Sequence, residues 1–235
     1  MSRNRKIKYL EINDDMNVFV VGDIHGCYSL LMSKLKEIGF NFNQDLLISV
    51  GDYVDRGVEN EKCFSLLQES WFVAIKGNHE DFCYQGLFDD RTAYYHRMQN
   101  NGGDWFYKLD DDKQEHIARI FNDLALMLEV SYRDKKFGFV HADLPVEDWE
   151  LVKEMLINDD DHNGRSIEEC LMWSRGIISR GNDVTIAQVD NVFFGHTVLP
   201  EITQLGNCTF LDTGGVFKES GNPYDLSVVN LKEWC

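Results

Sequence analysis

The sequence predicts an α/β fold in which two packed mixed sheets are flanked by helices. Three observations carry this expectation. Short apolar runs rich in branched side chains recur, each ended by glycine and a polar residue. Stretches with helical apolar spacing lie between them. The polar residues that end the first three runs, Asp23, Asp52 and Asn78, stand 29 and 26 positions apart. That is about one strand–helix–strand unit of roughly 30 residues each time.

The first run, Val18 to Val21, leads into Gly22-Asp23. Leu46 to Val50 leads into Gly51-Asp52, and Phe72 to Ile75 into Lys76-Gly77-Asn78-His79. Short and ended by glycine, these read as buried strands. Tyr28 to Ile38 places Leu31, Leu35 and Ile38 on one helical face. Glu59 to Glu69 does the same with Cys63, Leu66 and Leu67. A longer helical insert is expected over about Asp81 to Asn122. Leu126 to Tyr132 and Phe137 to Val140 flank the turn Arg133-Asp134-Lys135-Lys136 and read as a hairpin that delivers His141. Val146 to Leu156 aligns Trp149, Val152 and Leu156 as a helix. Val192 to Phe194 is a further buried strand, ended by Gly195-His196. Thr209 to Leu211 and Leu226 to Leu231 read as closing strands. With no repeat, no low-complexity segment and 3 prolines, residues 1–235 are expected to form a single domain.

Composition narrows the function. The 235 residues are 43% hydrophobic and 12% aromatic, which supports a core and excludes a mostly disordered chain. Lys and Arg total 23 against 40 Asp and Glu, a net charge of -17. That argues against nucleic acid, whose phosphates need Lys and Arg, and against an anionic membrane surface. It leaves room for a small positive centre made by metal ions. The 6 cysteines include no C-x-x-C pair, so a zinc ribbon or thioredoxin site is not expected. They read as reduced, buried thiols of a cytoplasmic protein. The basic start, Met1 to Leu10, has no apolar stretch behind it, and no run of 18 apolar residues occurs, so neither a secretory signal nor a membrane span is expected. Nothing in the sequence indicates an oligomeric state.

The chemistry lies in the residues that end the strands. In open α/β sheets ligands bind beyond the carboxyl ends of strands. Asp23, His25, Asp52, Asn78, His79, His141 and His196 are therefore expected to converge. Oxygen and imidazole donors without a thiolate suit Mn, Fe or Zn.

Five motifs occur in order between positions 22 and 197: Gly22-Asp23-Ile24-His25-Gly26, Gly51-Asp52-Tyr53-Val54-Asp55-Arg56-Gly57, Gly77-Asn78-His79-Glu80, His141-Ala142-Asp143 and Gly195-His196-Thr197. Together they resemble the phosphoprotein phosphatase branch of the metallophosphoesterases, above all the bacteriophage lambda-type and bacterial serine/threonine protein phosphatases. The resemblance implies a metallophosphoesterase β-sandwich with two divalent ions, Mn²⁺ foremost and Fe or Zn as alternatives. Asp23, His25 and a bridging Asp52 would hold the first ion, and Asp52, Asn78, His141 and His196 the second. Arg56 would bind phosphate, and His79, oriented by Asp55, would be the general acid. A second phosphate-binding arginine is expected after His141. Arg175 fits best, with Arg165 and Arg180 nearby.

Each assignment has a chemical reason. Paired divalent ions lower the pKa of a water between them and clamp an in-line displacement at phosphorus. Arginine reads phosphate with two parallel donors. A seryl or threonyl alkoxide leaves poorly and needs a proton. The resemblance implies phosphoprotein or phosphopeptide substrates carrying phosphoserine or phosphothreonine, with phosphotyrosine and phosphohistidine as further candidates. One alternative is hydrolysis of dinucleoside polyphosphates, whose enzymes share Gly-Asp-x-His-Gly. The full Asp-Tyr-Val-Asp-Arg-Gly favours the protein phosphatase. The other alternative, a non-catalytic scaffold, would be expected to have lost a ligand or His79, and all are present.

Blander readings stand beside these. Asp55 could cap a helix and Arg56 could be a surface residue. His96, His116 and His162 fall in no motif and read as ordinary side chains. Asp159 to Gly164 imitates the start of a calcium loop, but Cys170 occupies the twelfth position, so a solvated acidic loop is expected.

Overall fold

In the computed structural model, residues 6–220 and 224–235 are described, the side chains of 219 and 220 excepted. The chain opens with β1 (Ile7–Glu11), then runs β2 (Val18–Val21), α1 (Tyr28–Glu37), β3 (Leu46–Ser49), α2 (Asn60–Ser65) and β4 (Phe72–Ala74). Three helices follow: α3 (Asn78–Gln85), α4 (Asp90–Arg97) and α5 (Asp111–Asn122). Next come β5 (Met127–Tyr132), β6 (Lys135–Val140), α6 (Trp149–Asn158), the short pair β7 (Asp161–His162) and β8 (Arg165–Ser166), then α7 (Ile167–Trp173) and α8 (Gly176–Arg180). The described chain ends with β9 (Asn191–Phe194), β10 (Thr203–Leu205), β11 (Cys208–Phe210) and β12 (Val228–Asn230).

Two mixed sheets result. The smaller has the order β12-β2-β3-β4 and the larger β1-β5-β6-β9-β11-β10. Parallel neighbours need a crossover, and α1 and α2 supply those between β2, β3 and β4. Val21 pairs with Ser49 and Ser49 with Ala74, so Asp23, Asp52 and Asn78 leave the sheet at one edge.

The apolar runs lack alternation because these strands are covered on both faces. Val18, Val20, Ile48, Phe137, Phe139 and Phe193 point between the sheets. Phe19, Val21 and Leu47 point the other way, onto Leu31 and Leu35 of α1 and Phe121 of α5. Beyond the larger sheet, Val140, Val192 and Phe194 meet Trp149, Val152 and Leu156 of α6. Gly138 makes room there: a Cβ on it would lie 2.7 Å from the Trp149 ring. The layers are therefore helix, sheet, sheet, helix.

The structure adds to and corrects several expectations. The expected helical insert is made of α3, α4, a 3-10 turn over 103–108 and α5. The Glu59–Glu69 helix is shorter, with α2 passing into a 3-10 turn at Leu66–Gln68. β1 was not expected, because only Ile7 of its five residues is buried and the exposed Lys8 suits an edge strand. The hairpin turn is two residues, Arg133 and Asp134, both with positive φ (54° and 59°), so β6 begins at Lys135. The acidic stretch Asp159 to Gly164, expected as a solvated loop, is largely exposed and its Asp161–His162 pairs with Arg165–Ser166 as the short hairpin β7–β8. Cys63, Cys83, Cys170 and Cys208 are buried free thiols and Cys235 an exposed one; Cys27 is half-buried. Among the described residues no helix is long and apolar enough to cross a membrane.

Phe139 is fully buried between the sheets and stacks on Phe193 at 5.3 Å. Phe139→Ala should lower unfolding free energy by about 3 to 5 kcal/mol, read as a reduced denaturant midpoint with unchanged slope. A loss below about 1 kcal/mol would show that the inter-sheet layer does not carry the stability assigned to it.

Candidate metal centre and phosphate site

The loops after β2, β3, β4, β6 and β9 meet at one place. They are tightly bent: His25, Asp52, Asp55, Arg56 and His196 all have positive φ, between 46° and 72°. Each such residue costs about 1 kcal/mol or more, so the surroundings must hold it. Glu80 does much of this. Its buried carboxylate accepts the backbone N–H of Asp52 at 2.8 Å, Tyr53 at 3.0 Å and Gly77 at 2.9 Å. The first loop is tied to the second, because the N–H groups of Ile24 and His25 donate to the Asp52 carbonyl at 3.1 and 3.0 Å. Gly77 allows the third to close in, since a Cβ there would lie 2.2 Å from Asp52 Oδ1. The His79 N–H, at the start of α3, donates to that same oxygen at 2.9 Å.

The side chains so placed form two groups that share Asp52. Ligand atoms of His25, Asp52 and His79 lie within 4.8 Å of one another, as do those of Asp52, His141 and His196. Asp52 Oδ2 lies 3.7 Å from His25 Nε2 and 3.3 Å from His141 Nε2. Asp23 Oδ2 is 3.9 Å from His25 Nε2, and its carboxylate accepts the His196 N–H at 3.0 Å. The Asn78 Oδ1 is 3.0 Å from His141 Nε2 and 2.9 Å from His196 Nδ1. All six expected ligand residues, Asp23, His25, Asp52, Asn78, His141 and His196, are thus brought together and buried. His25 and His141 are oriented from behind: their Nδ1 atoms are 2.9 Å from the Val54 and Val50 carbonyls.

The electrostatics suit cations. Burial, with Asp212 and Asp52 nearby, pushes the Asp23 carboxyl well above the usual carboxylate range. Burial also pushes Asp52 up, but His141, His79 and His25 outweigh it and hold Asp52 well below. Burial and the charge of His141 lower His196 to about 3, leaving a neutral imidazole with a lone pair. Two buried atoms at the site, His196 Nε2 and Asp212 Oδ2, have no hydrogen-bond partner. Three buried carboxylates, three imidazoles and an amide oxygen, with no thiolate, fit divalent ions of the Mn, Fe or Zn type.

Beside this centre a guanidinium lies against two imidazoles. Arg56 NH1 is 2.5 Å from His25 Nε2, and NH2 is 3.2 Å from His79 Nε2. His79 Nδ1 is 2.8 Å from Asp55 Oδ2. Asp55 caps no helix; Glu59 occupies the N-cap of α2. Burial raises the Asp55 carboxyl, but His96 and His79 outweigh it and hold it far below its ordinary value. Across the centre, the charge of Arg175 bears on His196. Arg165 and Arg180 point elsewhere, pairing with Glu169 at 3.6 Å and Glu147 at 3.2 Å.

Four residues here were missed from the sequence. Glu80 was within reach, because a glutamate three residues after Gly77 is a capping signal. Asp212 follows the expected closing strand and carried the same strand-end signal as Asp23. His96 was read as ordinary, yet it is fully buried and its Nε2 is 2.7 Å from Asp55 Oδ2. Trp105 donates from Nε1 to Asp55 Oδ1 at 2.6 Å. Neither His96 nor Trp105 carries any spacing signal.

Known proteins resemble this chain in sequence and in fold. The sequence pattern of the Calcineurin-like phosphoesterase family matches residues 16–200. The chain is 36% identical over 213 residues to "Serine/threonine-protein phosphatase 1" of Salmonella typhimurium, covering 88% of this chain and 91% of that protein. It is 25% identical over 219 residues to "Bis(5'-nucleosyl)-tetraphosphatase PrpE [asymmetrical]" of Anoxybacillus flavithermus, covering 84% and 85%. A solved serine/threonine phosphatase of Saccharomyces cerevisiae shares the fold with a TM-score of 0.59 at 15% identity, over 95% of this chain and 83% of that one. The chain therefore belongs to the Calcineurin-like phosphoesterases.

Proposed function

We propose that this phosphoesterase is a metal-dependent phosphomonoesterase acting on phosphoserine and phosphothreonine of proteins. The observation that carries the reading is a carboxylate, Asp52, common to two buried donor groups, next to an Asp55–His79 pair and a guanidinium. Asp23, His25 and Asp52 would hold one divalent ion, and Asp52, Asn78, His141 and His196 a second. Ions bound there supply a nucleophilic water at neutral pH and neutralise charge gathering on the phosphoryl oxygens.

The chain's own residues do the rest. Arg56 binds a phosphoryl oxygen, and Arg175 closes on the substrate from the His196 side. His79 Nε2 faces the site and gives its proton to the departing seryl or threonyl oxygen. Asp55 accepts from Nδ1, which fixes the orientation of the ring. A local positive centre offsets the acidity of the whole chain, so a phosphate dianion is drawn in. Free thiols at Cys63, Cys83, Cys170, Cys208 and Cys235 accord with a reducing, cytoplasmic setting.

A second reading, hydrolysis of dinucleoside polyphosphates, has the tetraphosphatase relative in its favour. Higher identity to the protein phosphatase supports the first. With Mn²⁺, a phosphoserine peptide should be turned over with kcat/KM at least about tenfold above that for diadenosine tetraphosphate, a difference of roughly 1.4 kcal/mol in transition-state binding. The reverse order would assign the chain to the second reading.

Metal occupancy separates the ligands. Asp52→Asn should leave less than one ion per chain by elemental analysis, whereas Asn78→Ala, which removes a neutral donor from one group, should retain at least one. Equal, mild losses in the two variants would argue against a shared carboxylate. For the phosphate contacts, Arg56→Ala and Arg175→Ala should each weaken inhibition by inorganic phosphate by about tenfold to a hundredfold, the worth of roughly 1.5 to 3 kcal/mol for a hydrogen bond to a charged group. Metal content should stay near that of the parent. Unchanged inhibition in Arg175→Ala, with a loss in Arg165→Ala or Arg180→Ala, would move the second contact to one of those residues.

A further inference from the structure

His96 is fully buried on α4, far in sequence from every motif, and polar at both ring nitrogens. Nδ1 lies 3.1 Å from the Tyr107 hydroxyl, and Nε2 lies 2.7 Å from Asp55 Oδ2. Burial pushes the Tyr107 phenol up, so its O–H is present to donate to Nδ1. The Asp55 carboxylate can only accept, so Nε2 carries a proton and donates it there. Packing allows the ring little freedom. Phe82 stacks on it at 5.2 Å and 18°, Tyr107 meets it edge-on at 5.4 Å, and a Cβ on Gly103 would lie 2.0 Å from it.

Asp55 therefore accepts three side-chain N–H groups. His79 and His96 both reach Oδ2, at 2.8 and 2.7 Å, and Trp105 reaches Oδ1 at 2.6 Å. Phe82 touches both imidazoles, lying edge-on to His79 at 5.7 Å. The same stretch of the insert also grips the next residue, since the Asn100 carbonyl accepts from Arg56 Nε at 3.2 Å. Asp55 and Arg56 both have positive φ, 72° and 63°, so the turn they form needs such support.

We propose that His96 is a positioning residue for the leaving-group proton: by donating to Asp55 it fixes the carboxylate on His79 Nδ1 and so keeps His79 Nε2 aimed at the substrate. This rests on the reading of His79 as the general acid. Two other roles were weighed. Asp55, Cys83 and His96 lie close enough to hold a metal ion, but burial pushes the Cys83 thiol well up and Asp55 is already bonded to His96. A packing role alone would not call for a polar ring bonded at both nitrogens.

The test uses the Mn²⁺-loaded full chain with His96→Phe, which keeps the stack on Phe82, His96→Gln, which keeps an N–H donor, His79→Asn, and the His79→Asn/His96→Phe double variant. His96→Phe should lower kcat on a phosphoserine peptide about tenfold, part of the rate that a general acid supplies, while KM and Mn content stay within about twofold of the parent. His96→Gln should recover most of that loss. In the His79→Asn background His96→Phe should cost no more than about twofold further, because a residue acting through His79 has nothing left to orient. Fully additive losses, or equal losses in His96→Phe and His96→Gln, would make His96 a packing residue and overturn the inference. If His96→Phe does not fold, His96→Leu takes its place in the cycle. Should the parent hydrolyse no phosphomonoester, the function reading fails, and the positioning claim is read without substrate. The Nδ1–H proton resonance of His79 in zinc-loaded protein should be sharp and far downfield in the parent and His96→Gln, and lost or shifted upfield in His96→Phe. An unchanged resonance in His96→Phe would overturn the inference.

Discussion

The buried carboxylate of Asp52 is the point on which the rest of the structure depends. Its Oδ2 lies within 4 Å of His25, His79 and His141, and its Oδ1 accepts the first N–H of the α3 turn at His79. An acid buried in this way is costly unless it is surrounded by donors and cations. Three strand ends from one sheet and two from the other supply them. The price is a left-handed backbone at Asp52 itself, which Glu80 holds by collecting the neighbouring N–H groups. The two sheets therefore act as one scaffold: the smaller carries the acid and the larger brings His141 and His196 to it.

The helical insert serves the opposite side of the site. The residues of α4 and the turn after it send His96, Trp105 and the Asn100 carbonyl to Asp55 and Arg56. Strands fix the atoms that would face metal ions, and the insert fixes the atoms that would face the leaving group and phosphate. This division explains why so polar and aromatic a stretch is ordered. Its aromatic side chains, Phe82, Trp105, Phe106 and Tyr107, pack around groups that must not move.

How much of this was legible in the sequence follows from the periodicities involved. The three strands β2, β3 and β4 were readable because they are covered on both faces and so are continuously apolar. The residues after them were readable because strand ends in an α/β fold meet. β1 was hidden because only Ile7 of its five residues is buried. His96 reaches Asp55 across 41 positions, a contact made by the packing of α4 on α3, which leaves no pattern in the chain. Asp212 is a different case. It follows a strand that was expected, as Asp23 does, but it lies in none of the five motifs that singled out the other site residues.

Net charge and local charge act in opposite directions here. A chain of charge -17 repels phosphorylated substrates at long range, and salt screening beyond about 10 Å limits that penalty. At the site itself the balance would turn on cations held by Asp23 and Asp52. Anomalous diffraction from crystals grown with Mn²⁺ therefore tests the account most directly. It predicts two peaks per chain, about 3.5 to 4 Å apart, on either side of the Asp52 carboxylate. A single peak, or peaks that do not share Asp52, would contradict it.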